Sequence, residues 1–174
     1  MDTTSNEGSA NGERTMLRHA VATLAYRAEK VLRDVPAGFP DHRLGPGVRT
    51  PLELVGHLGD LIEWATRTAQ GDWIWKAESV GEWNADVERF YTALSSLDRF
   101  LASDVPLGHP VGVIFQGPIA DALTHVGQLA MIRRLAGAPV RPESYGRAKI
   151  EAGRVGPDQS AERREFDGDA SARK

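Results

Sequence analysis

Residues 117–137 of the chain are GPIADALTHVGQLAMIRRLAG, and this segment carries the marks of a helix at both of its ends. Proline is favoured at the first helical position and glycine just after the last one. The two arginines that precede Gly137 suit the negative end of the helix dipole. We therefore predict a helix that begins at Gly117-Pro118 and ends near Gly137.

The polar residues Asp121 and His125 lie four positions apart within this segment, so they share one face of the predicted helix. The same face is otherwise lined or flanked by Ala122, Leu129, Ile132 and Ala136. A carboxylate and an imidazole on an apolar stripe cost free energy to bury unless a partner satisfies them. A divalent metal ion would be such a partner.

Three further helices are predicted before this one. Helix 1 spans residues 13–31, where apolar residues recur at the spacing of a one-sided amphipathic helix. Helix 2 begins at Thr50-Pro51, since Thr50 and Glu53 form a capping box and Pro51 takes the first helical position, and it ends near Gly71. Helix 3 spans residues 82–103.

Four helices of about this length favour an all-α fold, a four-helix bundle spanning residues 13–137. Residues 1–12 are polar and predict a disordered lead-in, whereas residues 138–174 predict an extension that docks in part and is flexible beyond Gly156. The apolar run at 111–115 is expected to pack across one end of the bundle. The connection at 72–81 is expected to lean its two tryptophans on the bundle.

Composition restricts the classes of function. The net charge is -3 with no basic block, so nucleic acid and membrane surfaces are not expected partners. The polar N-terminus and the absence of a long apolar run predict a cytoplasmic protein. Because the chain contains no cysteine, any metal must be held by histidines and carboxylates, and any thiol must arrive with a substrate.

The polar residues expected to face the core are few. They are His57 on helix 2, and Asp121 and His125 on helix 4. Two histidines and one aspartate would leave positions open on a divalent ion, as catalytic sites require. Simpler readings also exist, because His57 could be an ordinary core histidine and Asp121 could favour the positive end of the helix dipole.

Two segments of the chain resemble a known family. TPLELVGHL (50–58) and HVGQLAMIRRLAG (125–137) are similar to the DinB/YfiT-like superfamily of metalloenzymes. The resemblance implies an up-down-down-up four-helix bundle, often dimeric, with three histidines around Zn²⁺ or Ni²⁺. His57 and His125 match two of these histidines, whereas the third position is Asp121, a departure from the family pattern.

The resemblance also implies a chemistry, a thiol-dependent S-transferase in which the metal activates a low-molecular-weight thiol to attack a small electrophile. Trp64, Trp83 and Tyr91 are expected to wall the substrate pocket. Gln128 and Asp60 are candidates to orient the ligand imidazoles, although a solvated helix face explains Asp60 as well.

Two alternatives keep the same fold. A metal-activated water would make the chain a hydrolase with the same three ligands. If Asp121 has ended metal binding, the chain would instead be a non-catalytic bundle for ligand binding or dimerisation.

Overall fold

The computed structural model describes residues 3–166 of the chain, with side chains from residue 11 onward, and it is all-helical. Within that range there is no strand, only an isolated antiparallel bridge between Glu143 and Glu165. Residues 1–2 and 167–174, which include the predicted flexible end, lie outside the described residues. No described helix combines the length and apolarity that crossing a membrane requires. The helical elements are α1 (Thr3–Leu32), α2 (Pro51–Ala69), α3 (Trp83–Ala102), α4 (Val111–Ile114), a π-helical segment (Phe115–Ile119), α5 (Ala120–Leu135) and a 3₁₀ turn (Tyr145–Arg147).

The ends of α2 and α3 confirm the predictions for helices 2 and 3. Thr50 caps α2, its side chain accepting from the Glu53 amide while the Glu53 side chain accepts from the Thr50 amide. Gly71 follows α2 with φ +95°, the left-handed conformation that ends helices. Glu82 caps α3 by accepting from the amides of Asn84 and Ala85.

Helix α1 starts at Thr3, ten residues before the predicted start at residue 13. The segment contains no proline, and extending an existing helix gains one hydrogen bond for each residue fixed. The polarity of these residues therefore does not prevent them from continuing the helix.

The fourth helical rod also begins earlier than predicted. It starts at Val111, directly after Pro110, and Gly117-Pro118 lies inside its π-helical segment instead of at its N-terminus. A proline lacks the amide donor, and a π-helical turn, with its i to i+5 bonding, can accommodate that loss within a continuous helix. The apolar run at 111–115 is thus the first part of this rod and not a segment that crosses the bundle end.

Contacts between the helices define their directions. Arg14 donates to the Ser103 carbonyl (2.6 Å) and Arg18 pairs with Asp98 (2.9 Å), so α1 and α3 are antiparallel. Near its start α2 meets the start of α3, where Arg89 donates to the Gly56 carbonyl (2.5 Å). Near its end α2 meets the residues that follow α3, so α2 and α3 are parallel.

Helix α5 closes the bundle between α1 and α2. Arg133, near its C-terminus, donates to the carbonyls of Val31 (3.1 Å) and Arg33 (2.8 Å) at the end of α1, so α1 and α5 are parallel. The order of directions along the chain is therefore up, down, down, up. The core between the helices is apolar and includes Leu24, Leu54, Leu58, Ile62, Phe90, Leu94, Leu97, Ala122 and Leu129.

The C-terminal extension packs onto α1, and its docking continues past Gly156, where an exposed tail was expected. The Lys30 ammonium is buried between the carboxylates of Glu143 and Glu165, at 2.8 Å from each. Arg163 forms an ion pair with Glu29, which lies on the same helix as Lys30. This cover explains why the second half of α1 is buried on almost every side instead of along one stripe.

The free energy of unfolding should depend on pH through the ionisation of the buried Glu143 carboxylate. Burial alone would raise its pKa, but hydrogen bonds from Lys30 and Tyr26 outweigh burial and hold the pKa below the ordinary glutamate value. Because the folded pKa is the lower one, this stabilisation is complete above the unfolded pKa and is lost as the pH falls through the folded pKa. We expect Glu143→Gln to flatten the fall in unfolding free energy between about pH 5 and pH 3, measured by urea titration. Equal slopes in variant and wild type would contradict this assignment.

Candidate metal centre

His57 lies in the second turn of α2 and is half-buried at the edge of the bundle. The preceding residue lets the connection between α2 and α3 approach closely, because a Cβ atom at Gly56 would lie 2.3 Å from the Ser79 hydroxyl. The α2 backbone and this connection therefore pack together beside the imidazole. The capping box fixes the start of the helix one to two turns upstream.

Asp121 and His125 are carried by α5, directly after the π-helical segment. A π-helical turn holds more residues than an α-helical turn, so it rotates the face that follows, and such turns are frequent at functional sites. Asp121 does not lie at the start of the rod, because Ile119 before it is already helical (φ −75°, ψ −45°). A favourable interaction with a free helix N-terminus therefore does not explain this aspartate.

The structure brings the three predicted side chains together. Asp121 Oδ2 lies 3.9 Å from His57 Nε2, and Asp121 Oδ1 lies 3.4 Å from His125 Nε2. The two imidazole rings are 4.8 Å apart between centroids, at an angle of 78°. One potential ligand atom from each residue lies within 4.8 Å of the other two.

Of the two residues predicted to orient the imidazoles, Gln128 contacts one of the rings and Asp60 contacts other partners. Gln128 Oε1 lies 3.2 Å from His125 Nδ1, so this amide can accept from the ring nitrogen that faces away from Asp121. Asp60 orients neither imidazole by a hydrogen bond, and it is not a solvated residue either. It is 4% exposed, pairs with Arg89 (3.0 Å) and accepts from the Glu78 amide (2.9 Å).

The electrostatics around His57 favour its neutral form. Burial lowers the pKa of His57, and the charges of Arg49 and His125 lower it further, while Asp121 and Asp60 oppose the shift. A neutral imidazole is the form that binds a metal ion, because the ligand nitrogen must be free of a proton.

The donor set suits a divalent transition metal. Two imidazole nitrogens and a carboxylate oxygen are ligands that Zn²⁺ and Ni²⁺ accept, and three protein ligands leave positions for other groups. Asp121 keeps 49% of its side chain exposed, so an ion can reach the site from solvent. Within the described residues, neither arginine nor lysine forms an ion pair with Asp121, and its carboxylate is not already neutralised.

The aromatic surroundings differ in part from the prediction. Trp64 does lie beside the site, because it packs against Trp75 (5.7 Å between centroids), which in turn packs against His57 (5.6 Å). Trp83 contacts Phe39, and Tyr91 lies beside Phe90 on α3.

Trp75 was expected only to lean on the bundle, and its contact with the His57 ring was missed. The spacing of Trp73 and Trp75 is the signal that could have found it. Residues two apart in an extended segment point to the same side, so both rings can meet one partner. In the structure that partner is Trp64, which Trp73 contacts at 5.3 Å and Trp75 at 5.7 Å.

Comparison with known proteins adds no relative to this description: no protein-family model matches the chain, and neither a curated protein nor a solved structure matches it significantly.

Proposed function

We propose that this protein is a divalent-metal-dependent enzyme, a thiol S-transferase of the DinB/YfiT-like kind, with His57, Asp121 and His125 as metal ligands. The observation that carries the proposal is the convergence of these three side chains, from two separate helices, within 4.8 Å of one another. The helix directions and the resemblance at residues 50–58 and 125–137 support the family assignment.

The chemistry follows from the ligand set. A bound divalent ion supplies a Lewis acid that lowers the pKa of a small thiol, or of water, at an open coordination position. In the transfer the thiol S–H bond loses its proton to solvent, a bond forms between sulfur and an electrophilic carbon, and the leaving group departs with its electron pair. The protein's own residues fix the geometry, since Gln128 accepts from His125 and keeps that ring in one orientation.

Elemental analysis and turnover together test the proposal. Purified protein should contain, or take up, about one equivalent of Zn²⁺ or Ni²⁺, and it should conjugate cysteine or another small thiol to 1-chloro-2,4-dinitrobenzene. His57→Ala should abolish both, whereas His19→Ala, a change at an exposed histidine of α1, should leave both unchanged.

Different outcomes separate the alternatives. Metal uptake with ester hydrolysis but without thiol conjugation would favour metal-activated water over a thiol. Protein that never takes up a divalent metal would contradict the enzyme proposal and leave a non-catalytic bundle.

A further inference from the structure

Two tryptophans beside the candidate metal centre keep much of their surface in solvent. Trp73 is 51% exposed and Trp75 is 43% exposed, although both lie in the connection that packs against α2. Single exposed apolar residues are ordinary on protein surfaces, but adjoining ones mark binding sites. These two rings adjoin each other through Trp64.

The exposed rings belong to a continuous series that we name the aromatic ladder: His57, Trp75, Trp64, Trp73 and His109. Successive centroids are separated by 5.6, 5.7, 5.3 and 5.1 Å, and each pair meets edge to face. The ladder begins at a candidate metal ligand and runs outward along the protein surface. A ligand lying on it would therefore have one end at the metal centre.

The backbone that carries the ladder is held at several points. The Asp72 carboxylate accepts from the Ile74 amide (3.0 Å), and the Trp64 indole donates to the Trp73 carbonyl (3.4 Å). Further along, Asp86 is fully buried and accepts from the amides of Val80 (3.0 Å) and Gly81 (2.9 Å). Because the segment is already ordered, binding a ligand there would cost little additional conformational entropy.

The charges near the aromatic ladder determine which class of ligand it can bind. A metal ion at the centre would repel a cationic ligand such as a quaternary ammonium. Of the two acidic side chains on the connection at 72–81, Asp72 accepts from the Ile74 amide and Glu78 pairs with Arg67 at 3.7 Å. What the ladder offers is ring faces and edges, which suit a planar aromatic partner.

We propose that the aromatic ladder binds the planar, uncharged aromatic part of the substrate, and so selects aromatic electrophiles for the metal centre. The binding surface itself needs no metal, but its assignment to the substrate rests on the proposed function. Trp73 and Trp75 stack with the ligand, and Trp64 supports both of them from behind.

The test uses 2-naphthol as the probe and the indole N–H signals of the protein in ¹H–¹⁵N NMR spectra, with EDTA present. The chain has four tryptophans, of which Trp83 contacts Phe39 and serves as an internal control. We expect saturable shifts for Trp64, Trp73 and Trp75 and none for Trp83. Trp75→Ala and Trp73→Ala should each weaken binding about 2- to 10-fold, and Trp83→Phe should not change it.

This titration tests ligand binding by the aromatic ladder independently of metal binding at the candidate centre. Because EDTA removes any bound metal, saturable shifts of the Trp64, Trp73 and Trp75 signals report binding by the aromatic ladder alone. Both substituted tryptophans are about half exposed, so their variants should retain the wild-type melting temperature and remain informative. Shifts that do not saturate, shifts that include Trp83 equally, or binding of tetramethylammonium in place of 2-naphthol would overturn the proposal.

Discussion

Saturating Ni²⁺ or Zn²⁺ is expected to raise the melting temperature of the wild-type protein by about 5 to 10 °C when the metal is present at about 100 times its dissociation constant. The reason is mass action, because the ion binds the three convergent ligands of the folded state, which the unfolded chain does not hold together. Differential scanning calorimetry with and without metal measures the shift.

Variants of the proposed ligands, compared with a variant of an unrelated aspartate, test whether the shift comes from metal binding at this site. Asp121→Ala and His57→Ala should each remove most of the shift, whereas Asp158→Ala, at an exposed aspartate of the C-terminal extension, should retain it. The non-catalytic alternative predicts a different pattern, in which no variant changes the response because there is none. A shift that persists in both ligand variants would place the metal elsewhere.

The second large effect is expected at the buried lysine of α1. Lys30 has 1% of its side chain exposed and lies between Glu143, which is fully buried, and Glu165. Lys30→Met would leave the buried Glu143 carboxylate without its counter-ion, and breaking a buried pair in this way costs about 3 to 5 kcal/mol. We expect the melting temperature to fall by about 6 to 20 °C.

An exposed ion pair of the same extension provides the control. Lys149 pairs with Glu162, and both side chains keep large exposed fractions (59% and 43%). Lys149→Met should leave the melting temperature unchanged, since solvent already screens this pair. If Lys30→Met also left the melting temperature unchanged, the extension would not be anchored to α1 by this ion pair.

Sequence patterns predicted the helices whose ends are chemically marked. For α2, the threonine cap, the proline and Glu53 act within a few residues of one another, so local chemistry alone determines the boundary. The same reasoning placed the fourth rod wrongly, because Gly117-Pro118 resembles a helix start, whereas the rod starts after Pro110. Whether a proline starts a helix or lies within a π-helical turn depends on the upstream residues and their packing.

The docking of the C-terminal extension could not be predicted from local pattern. Its anchors pair residues more than a hundred positions apart, such as Lys30 with Glu143 and Glu29 with Arg163. An isolated charged residue in a sequence predicts exposure. The burial of Lys30 is stabilised by the tertiary structure, which places two carboxylates beside its ammonium group.

The three candidate metal ligands could be predicted from the sequence, whereas the contacts of several residues around them could not. The four-residue spacing of Asp121 and His125 places both on one helix face whatever the packing, and only the approach of His57 required the fold. The partners of Asp60 and Tyr91 were not predicted, because the identity of a neighbouring side chain depends on helix rotation and packing, which spacing does not specify.

The central claim is that His57, Asp121 and His125 bind one divalent ion, and X-ray absorption fine structure of the Zn²⁺-loaded protein tests it most directly. We predict a first coordination shell of nitrogen and oxygen at about 2.0 to 2.2 Å, with multiple-scattering features of two imidazoles. In His125→Ala one imidazole should disappear from the spectrum. A spectrum of zinc bound by water alone, or one that His125→Ala does not change, would contradict the account.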